Sequence, residues 1–181
     1  INHYAHCTIE PLSNGNIEFS ALDIDVSETH SNQSYLEPNS GLILHRDVYN
    51  VIVERFNDGK PLALRMITHC DAPPGSGLGS SSTLVVSMIQ AYCEWLKLPL
   101  GEYDVAHLAF EIERIRLKQT GGRQDQYAAA FGGVNFIEFG NSDRVIVNPL
   151  RVKNWIMNEF EASLVLFFYS ISRRSSNIID E

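Results

Sequence analysis

Residues 73–82 read Pro-Pro-Gly-Ser-Gly-Leu-Gly-Ser-Ser-Ser, and the fold of the chain is read outward from them. Gly75, Gly77 and Gly79 open backbone conformations closed to residues with a Cβ and let main-chain N–H groups approach an anion closely. Ser80, Ser81 and Ser82 supply an N-cap and hydroxyls at a helix start. The helix N-terminus adds unpaired N–H groups and the positive end of the helix dipole. Pro74, Gly75, Ser76, Gly77, Leu78, Gly79, Ser80, Ser81 and Ser82 therefore read as a phosphate cradle. The plainer reading is a flexible loop that caps a helix and binds nothing. Two familiar phosphate loops do not fit. A Walker A loop needs Lys-Ser or Lys-Thr after its last glycine, where this chain has Ser80. The dinucleotide fingerprint needs a third glycine or alanine, where this chain has Ser80, and an acidic residue at the end of a second strand about 20 positions on, where this sequence is helical.

The loop sits between a strand predicted over 62–69 and an apolar helix predicted over 83–96. Upstream, residues 4–10 and 17–22 read as strands, and the Pro-Leu-Ser-Asn-Gly-Asn turn between them predicts a hairpin. Residues 27–40 are polar and read as an exposed connection. Leu42, Ile43, Val48, Val51, Ile52 and Phe56 recur at helical spacing until Asn57-Asp58-Gly59. Downstream, a helix is predicted over 104–118 and a short one within 121–133. A second hairpin follows over 134–139 and 144–148, then a helix over 154–160 and an apolar strand over 163–169. Mixed elements in this order predict an α+β fold, a mixed sheet packed against helices. Residues 1–150 read as one domain and 151–181 as the beginning of a second. Both ends read as cut within elements.

The chain carries 22 acidic and 14 basic residues, a formal net charge of −8. That balance disfavours general binding to nucleic acid or anionic membranes, while leaving room for a local phosphate site. No apolar run reaches the roughly 20 residues that span a bilayer. Cys7, Cys70 and Cys93 lie far apart with no zinc spacing and fit reduced thiols of a cytoplasmic protein.

Two carboxylates stand out downstream of the loop. In the helix 104–118 an apolar stripe runs through Val105, Leu108, Ala109, Ile112 and Ile115. Glu113 lies one turn from Ala109 and two from Ala106, so small side chains leave it room to point inward toward a ligand. Glu111 shares a face with His107 and Asp104 and reads as solvated. Asp125 lies between glycine turns beside Arg123, whose charge would keep it ionised. An ionised carboxylate there can hold a substrate hydroxyl or accept its proton. Asp125 can equally cap the short helix after it, and both roles can coexist.

The stretch 73–82 closely resembles the second motif of the GHMP kinases, with Ser82 where that motif usually has alanine. The resemblance implies a loop that wraps the phosphates of ATP without a Walker lysine. It implies that Glu113 shares Mg²⁺ with a loop serine, Ser81 or its neighbour Ser80. It implies that Asp125, ahead of Gly132-Gly133, is the catalytic aspartate. Residues 122–136, Gly-Arg-Gln-Asp-Gln-Tyr-Ala-Ala-Ala-Phe-Gly-Gly-Val-Asn-Phe, resemble the branch that acts on D-glycero-D-manno-heptose 7-phosphate. Ser172-Arg173-Arg174-Ser175-Ser176 supports the same branch. The implied reaction is ATP-dependent phosphorylation of the anomeric hydroxyl, giving the 1,7-bisphosphate, with Arg123, Gln124 and Asp125 at the small-molecule substrate. Lys118 and Arg173 are further candidates for its phosphate. A kinase for another sugar, of fucose or galactose type, and a non-catalytic nucleotide- or sugar-binding relative are the alternatives. The resemblance extends over Ile1–Glu181, with the family's first motif expected before Ile1 and its third beyond Glu181.

Overall fold

The computed structural model describes residues 3–73, 75–141, 143–165 and 167. Its centre is a four-stranded mixed sheet of β1 (Ala5–Pro11), β2 (Ile17–Ala21), β3 (Val26–His30) and β4 (Leu64–Cys70), in the order β1-β4-β2-β3. Along β4 every second residue is buried, Leu64, Met66, Thr68 and Cys70, and β2 matches it with Ile17, Phe19 and Ala21. Period-two burial of this kind fixes register, because a one-residue slip would turn the apolar set to solvent. β4 runs antiparallel to β1 and parallel to β2.

The predicted hairpin between the first two strands does not form. β4 lies between them, bonded through Leu12 N–H to the Ala63 carbonyl and Leu64 N–H to the Asn16 carbonyl. The turn signal itself is real, since Gly15 has a φ of +76° and the Asn14 side chain accepts from Asn16 N–H. The connection it shapes crosses the start of β4 instead of folding β2 back on β1. β2 finds its antiparallel neighbour in β3, which occupies part of the stretch read as an exposed connection.

Helix α1 (Ile43–Phe56) and helix α2 (Ser80–Leu96) supply the core facing this sheet. Val48, Tyr49, Val51, Ile52 and Val53 of α1, and Val85, Met88, Ile89 and Tyr92 of α2, are fully buried. Each such aliphatic side chain contributes about 1.5–3 kcal/mol of burial free energy. Buried polar groups of α1 are paired. Asn50 bonds both the N–H and the carbonyl of Leu36, His45 Nε2 meets Thr68 Oγ1 at 2.8 Å, and Asp47 accepts a bidentate bond from Arg116.

Helix α3 (Glu102–Phe110) runs directly into a π-helical turn over Glu111–Arg116. The wider turn, with Leu117 N–H reaching back to Ile112, shifts the face presented by later residues. Ile115, expected in the apolar stripe, is therefore 58% exposed, whereas Ile112 and Glu113 stay buried. Glu111 is not simply solvated. It pairs with both terminal nitrogens of Arg55, joining this element to α1.

Helix α4 (Gln124–Phe131) packs on α2 and α3, and β5 (Asn135–Phe139) pairs with β6 (Val145–Pro149) as the predicted second hairpin. Helix α5 (Asn154–Ala162) follows and buries none of its residues. Of the strand predicted over 163–169, Ser163, Leu164, Val165 and Phe167 are not strand, and the remainder lies outside the described residues. Pro74 and Arg173 also lie outside them. No helix among the described residues is long and apolar enough to cross a membrane.

Candidate active site

The glycine loop joins β4 to α2. Asp71, at its entry, accepts a bond from Tyr4 N–H and lies between His6 and His69, so the loop leaves the sheet at a fixed point. That N–H bond is the main cause holding the Asp71 carboxyl below its ordinary value. Gly79 is the residue before the first turn of α2, in the left-handed region at φ +72° and ψ +24°. Its carbonyl takes both Thr83 N–H and Thr83 Oγ1, at 3.0 and 2.9 Å. The N-cap is thus Gly79 and not one of the serines, and no side chain caps this end. The first-turn N–H groups of α2, which have no intrahelical acceptor, are left for a ligand at the positive end of the helix.

With the helix starting at Ser80, the three serines point to different places. Ser80 is half-buried, Ser81 is exposed and Ser82 is buried. Ser81 Oγ donates to Glu113 Oε1 at 2.6 Å. Glu113 is itself fully buried, above Ala106 and Ala109, which are equally closed to solvent. Its second oxygen accepts from Gln126 Nε2 at 2.5 Å, and Gln126 Nε2 also reaches Ser82 Oγ at 3.0 Å. Arg114 Nη1 lies 3.8 Å from Glu113 Oε1, while Arg114 Nε donates to the Gly122 carbonyl. One carboxylate is thereby tied to the loop, to α4 and to the turn ahead of α4.

Asp125 stands in the first turn of α4, half-buried. It lies against the glycine loop: a Cβ built on Gly79 would meet Asp125 Cγ at 3.3 Å. It does not cap its helix, since α4 begins at Gln124 and carries no side-chain cap bond. Nor is Arg123 its partner. Arg123 Nη2 donates to Asp143 Oδ1 at 2.6 Å and the guanidinium lies over the Phe110 ring at 4.6 Å. Asp125 has no ion-pair partner among the described residues. Gln124 and Lys118 are exposed. Ser81, Glu113 and Asp125 are thus brought to one mouth of the loop, and Arg123 is engaged beside it.

Ser81 Oγ and Glu113 Oε1 are hard oxygen donors side by side, a fit for Mg²⁺. No group of three or more His, Cys, Asp or Glu side chains forms a metal cage among the described residues. A cation held by one carboxylate and one hydroxyl takes its other ligands from phosphate and water, as Mg²⁺ characteristically does. Gln126 and Arg114 are the members of the site that sequence reading passed over. The signal for Gln126 was available: with Tyr127 and Ala130 it forms the buried face of α4, where a polar residue calls for a partner.

A loop of left-handed glycines, a capless helix N-terminus and a serine-bound buried glutamate together make a candidate phosphate-binding site, with oxygen donors that would suit a cation. The sequence profile of the GHMP kinases N terminal domain matches residues 43–133, half of the chain, and the chain belongs to that family. It is 50% identical over 178 residues to the D-glycero-alpha-D-manno-heptose 7-phosphate kinase of Campylobacter jejuni, covering 98% of this chain and 52% of that protein. A crystal structure of a D-glycero-D-manno-heptose 1-phosphate kinase from Bacteroides thetaiotaomicron superposes with a TM-score of 0.86 at 49% identity, over 90% of this chain and 53% of that one. The Methanococcus jannaschii mevalonate kinase shares the fold, with a TM-score of 0.68 at 15% identity over 81% of this chain and 45% of that one. The chain spans about half the length of the heptose phosphate kinases it matches.

Proposed function

We propose that the protein containing this chain transfers the γ-phosphoryl group of ATP to a hydroxyl of a heptose phosphate. The observation that carries the reading is the Ser81–Glu113 bond at the mouth of the glycine loop, with Asp125 packed against Gly79 on the same loop. Loop N–H groups and the N-terminus of α2 bind the phosphates. Ser81 and Glu113 would hold Mg²⁺, which would supply neutralisation of the charge that develops on the phosphates. Asp125 holds the acceptor hydroxyl in line. As the new O–P bond forms and the bond to the β-phosphate oxygen breaks, the hydroxyl proton passes to Asp125 and ADP leaves. Most of the acceleration comes from positioning and electrostatics, because a loose transition state asks little of a base.

The two heptose kinases above differ in name by where the acceptor already carries phosphate. Identity of 50% to a 7-phosphate kinase supports D-glycero-D-manno-heptose 7-phosphate as acceptor, and on this reading its anomeric hydroxyl is the site of transfer. The product is then the 1,7-bisphosphate. Phosphorus NMR of the full-length protein with Mg·ATP and either heptose 7-phosphate or heptose 1-phosphate tests this. A new anomeric phosphate on the 7-phosphate, lost in Asp125→Asn, is the expected result. Transfer to the 1-phosphate alone would reject the acceptor while leaving the kinase. No transfer by a protein that binds Mg·ATP would favour a non-catalytic binding relative.

A further inference from the structure

Gln126 is fully buried, lies beside Asp125 in the first turn of α4, and has no part in the chemistry above. Its amide nitrogen spends both hydrogens inside the site, one on Glu113 Oε2 at 2.5 Å and one on Ser82 Oγ at 3.0 Å. The carboxylate fixes the orientation of the amide, since the opposite one would set two oxygens against each other. The amide oxygen Oε1 is buried without a partner among the described residues. A side chain chosen for packing alone would be apolar here, as its buried neighbours Tyr127 and Ala130 largely are. An amide with one unsatisfied end is retained where its other end is needed.

Glu113 has two oxygens, and they face different partners. Oε1 meets the Ser81 hydroxyl at the loop, and Oε2 meets Gln126 in the interior. We infer that Gln126 is a positioning residue: it anchors Oε2 so that Oε1 stays beside Ser81 Oγ, turned to the loop where the cation binds. The inference rests on the proposed role of Ser81 and Glu113 as its ligands. Partners that orient a metal-binding carboxylate in this way typically control affinity by about 10- to 100-fold. Gln126 has a second consequence because it adjoins Asp125. The same side chain that holds Glu113 and Ser82 pins the first turn of α4, and with it Asp125, to the metal pair. The spacing between the acceptor's carboxylate and the cation's carboxylate is thereby set by one amide.

The test is Mn²⁺ affinity, read by electron paramagnetic resonance on the full-length protein saturated with a non-hydrolysable ATP analogue. Gln126→Met keeps the length and volume of the side chain and removes its donors. Gln126→Asn keeps the amide and draws it back by one methylene. Glu113→Gln serves as the reference. Both Gln126 variants are expected to bind Mn²⁺ about 10- to 100-fold more weakly, with analogue affinity in the absence of metal unchanged. In turnover, the Mg²⁺ concentration for half-maximal rate rises by a similar factor. Wild-type Mn²⁺ affinity in Gln126→Met or Gln126→Asn, with Glu113→Gln weakened, overturns the positioning role and leaves the metal reading standing. Wild-type affinity in Glu113→Gln overturns the metal reading and the inference together.

Discussion

Alanine at Gly79 and alanine at Gly77 should slow the enzyme to different extents, although both strain the same loop. Both glycines lie in the left-handed region, at φ +72° and +76°. An L-residue there costs roughly 1–2 kcal/mol, so this backbone strain should lower the thermal midpoint of each variant by about 2–8 °C. They differ in what the new methyl group meets. At Gly77 nothing lies within 4 Å, whereas at Gly79 it meets Asp125 Cγ at 3.3 Å and Asp125 Cβ at 3.5 Å. Contacts of 3.3 Å fall short of an ordinary carbon–carbon separation, so Asp125 must retreat by a few tenths of an ångström. Misplacement by about 1 Å costs roughly 100-fold in rate, which puts the Gly79→Ala loss of kcat at roughly tenfold beyond that of Gly77→Ala. Steady-state kinetics at saturating Mg·ATP and acceptor separate this from any weakening of ATP binding, which appears in KM. A double-mutant cycle completes the assay: in an Asp125→Asn background the extra loss should vanish. Equal kcat values for the two alanine variants, or full additivity with Asp125→Asn, would refute the claim that Gly79 is small to make room for the aspartate.

Two further outcomes follow from the same geometry. Ser81→Ala removes the hydroxyl bonded to Glu113 Oε1 and should raise the Mg²⁺ concentration for half-maximal rate by roughly tenfold; an Mg²⁺ titration of turnover checks it, with the thermal midpoint followed alongside because the buried Glu113 carboxylate loses a donor. Burial pushes the His45 imidazole down from 6.5 to about 4, against the pull of Glu28 and Asp23. Below pH 6.5 the unfolded chain takes up a proton that the fold refuses until about pH 4, so stability falls as pH drops through that window. The loss attributable to His45 by pH 5 is about 2 kcal/mol. Urea denaturation at pH 7 and pH 5, with His45→Gln as the non-titrating control, should show it, and equal pH dependence in the two proteins would remove His45 as its source.

Residue spacing located the candidate site residues better than it located the strands. The glycine-serine loop, Glu113 above its two alanines and Asp125 ahead of Gly132-Gly133 are local patterns, and the structure gathers their described residues at one mouth. Strand order is not local. The turn at 13–15 has the composition of a hairpin, yet Ile17, Phe19 and Ala21 pair with Met66 and its neighbours, more than forty residues away, because β4 buries alternate residues and needs a strand on either side. The π-helical turn was equally hidden. An α-helical period carried through Ile115 predicts it buried, and only the change of phase explains why that residue is exposed while Glu113 is enclosed.

Arg123 shows how charge pairing misleads when it is read along the chain. Its neighbour in sequence is Asp125, but α4 directs the two side chains apart, and the guanidinium finds Asp143 across the hairpin and Phe110 beneath it. Asp125 is left without a cation among the described residues, facing the loop alone. An aspartate locked to an arginine would be a poor acceptor for a substrate proton, since the pair holds its charge and its lone pairs. On the proposed reading the separation is therefore functional: Arg123 braces the turn before α4, and the carboxylate two residues on remains open to a hydroxyl. Gln126 completes the division along one helical turn, with Arg123 fixed outward, Asp125 on the loop, and Gln126 turned inward to Glu113. Three directions taken from one short helix start show why roles in this stretch cannot be assigned by adjacency.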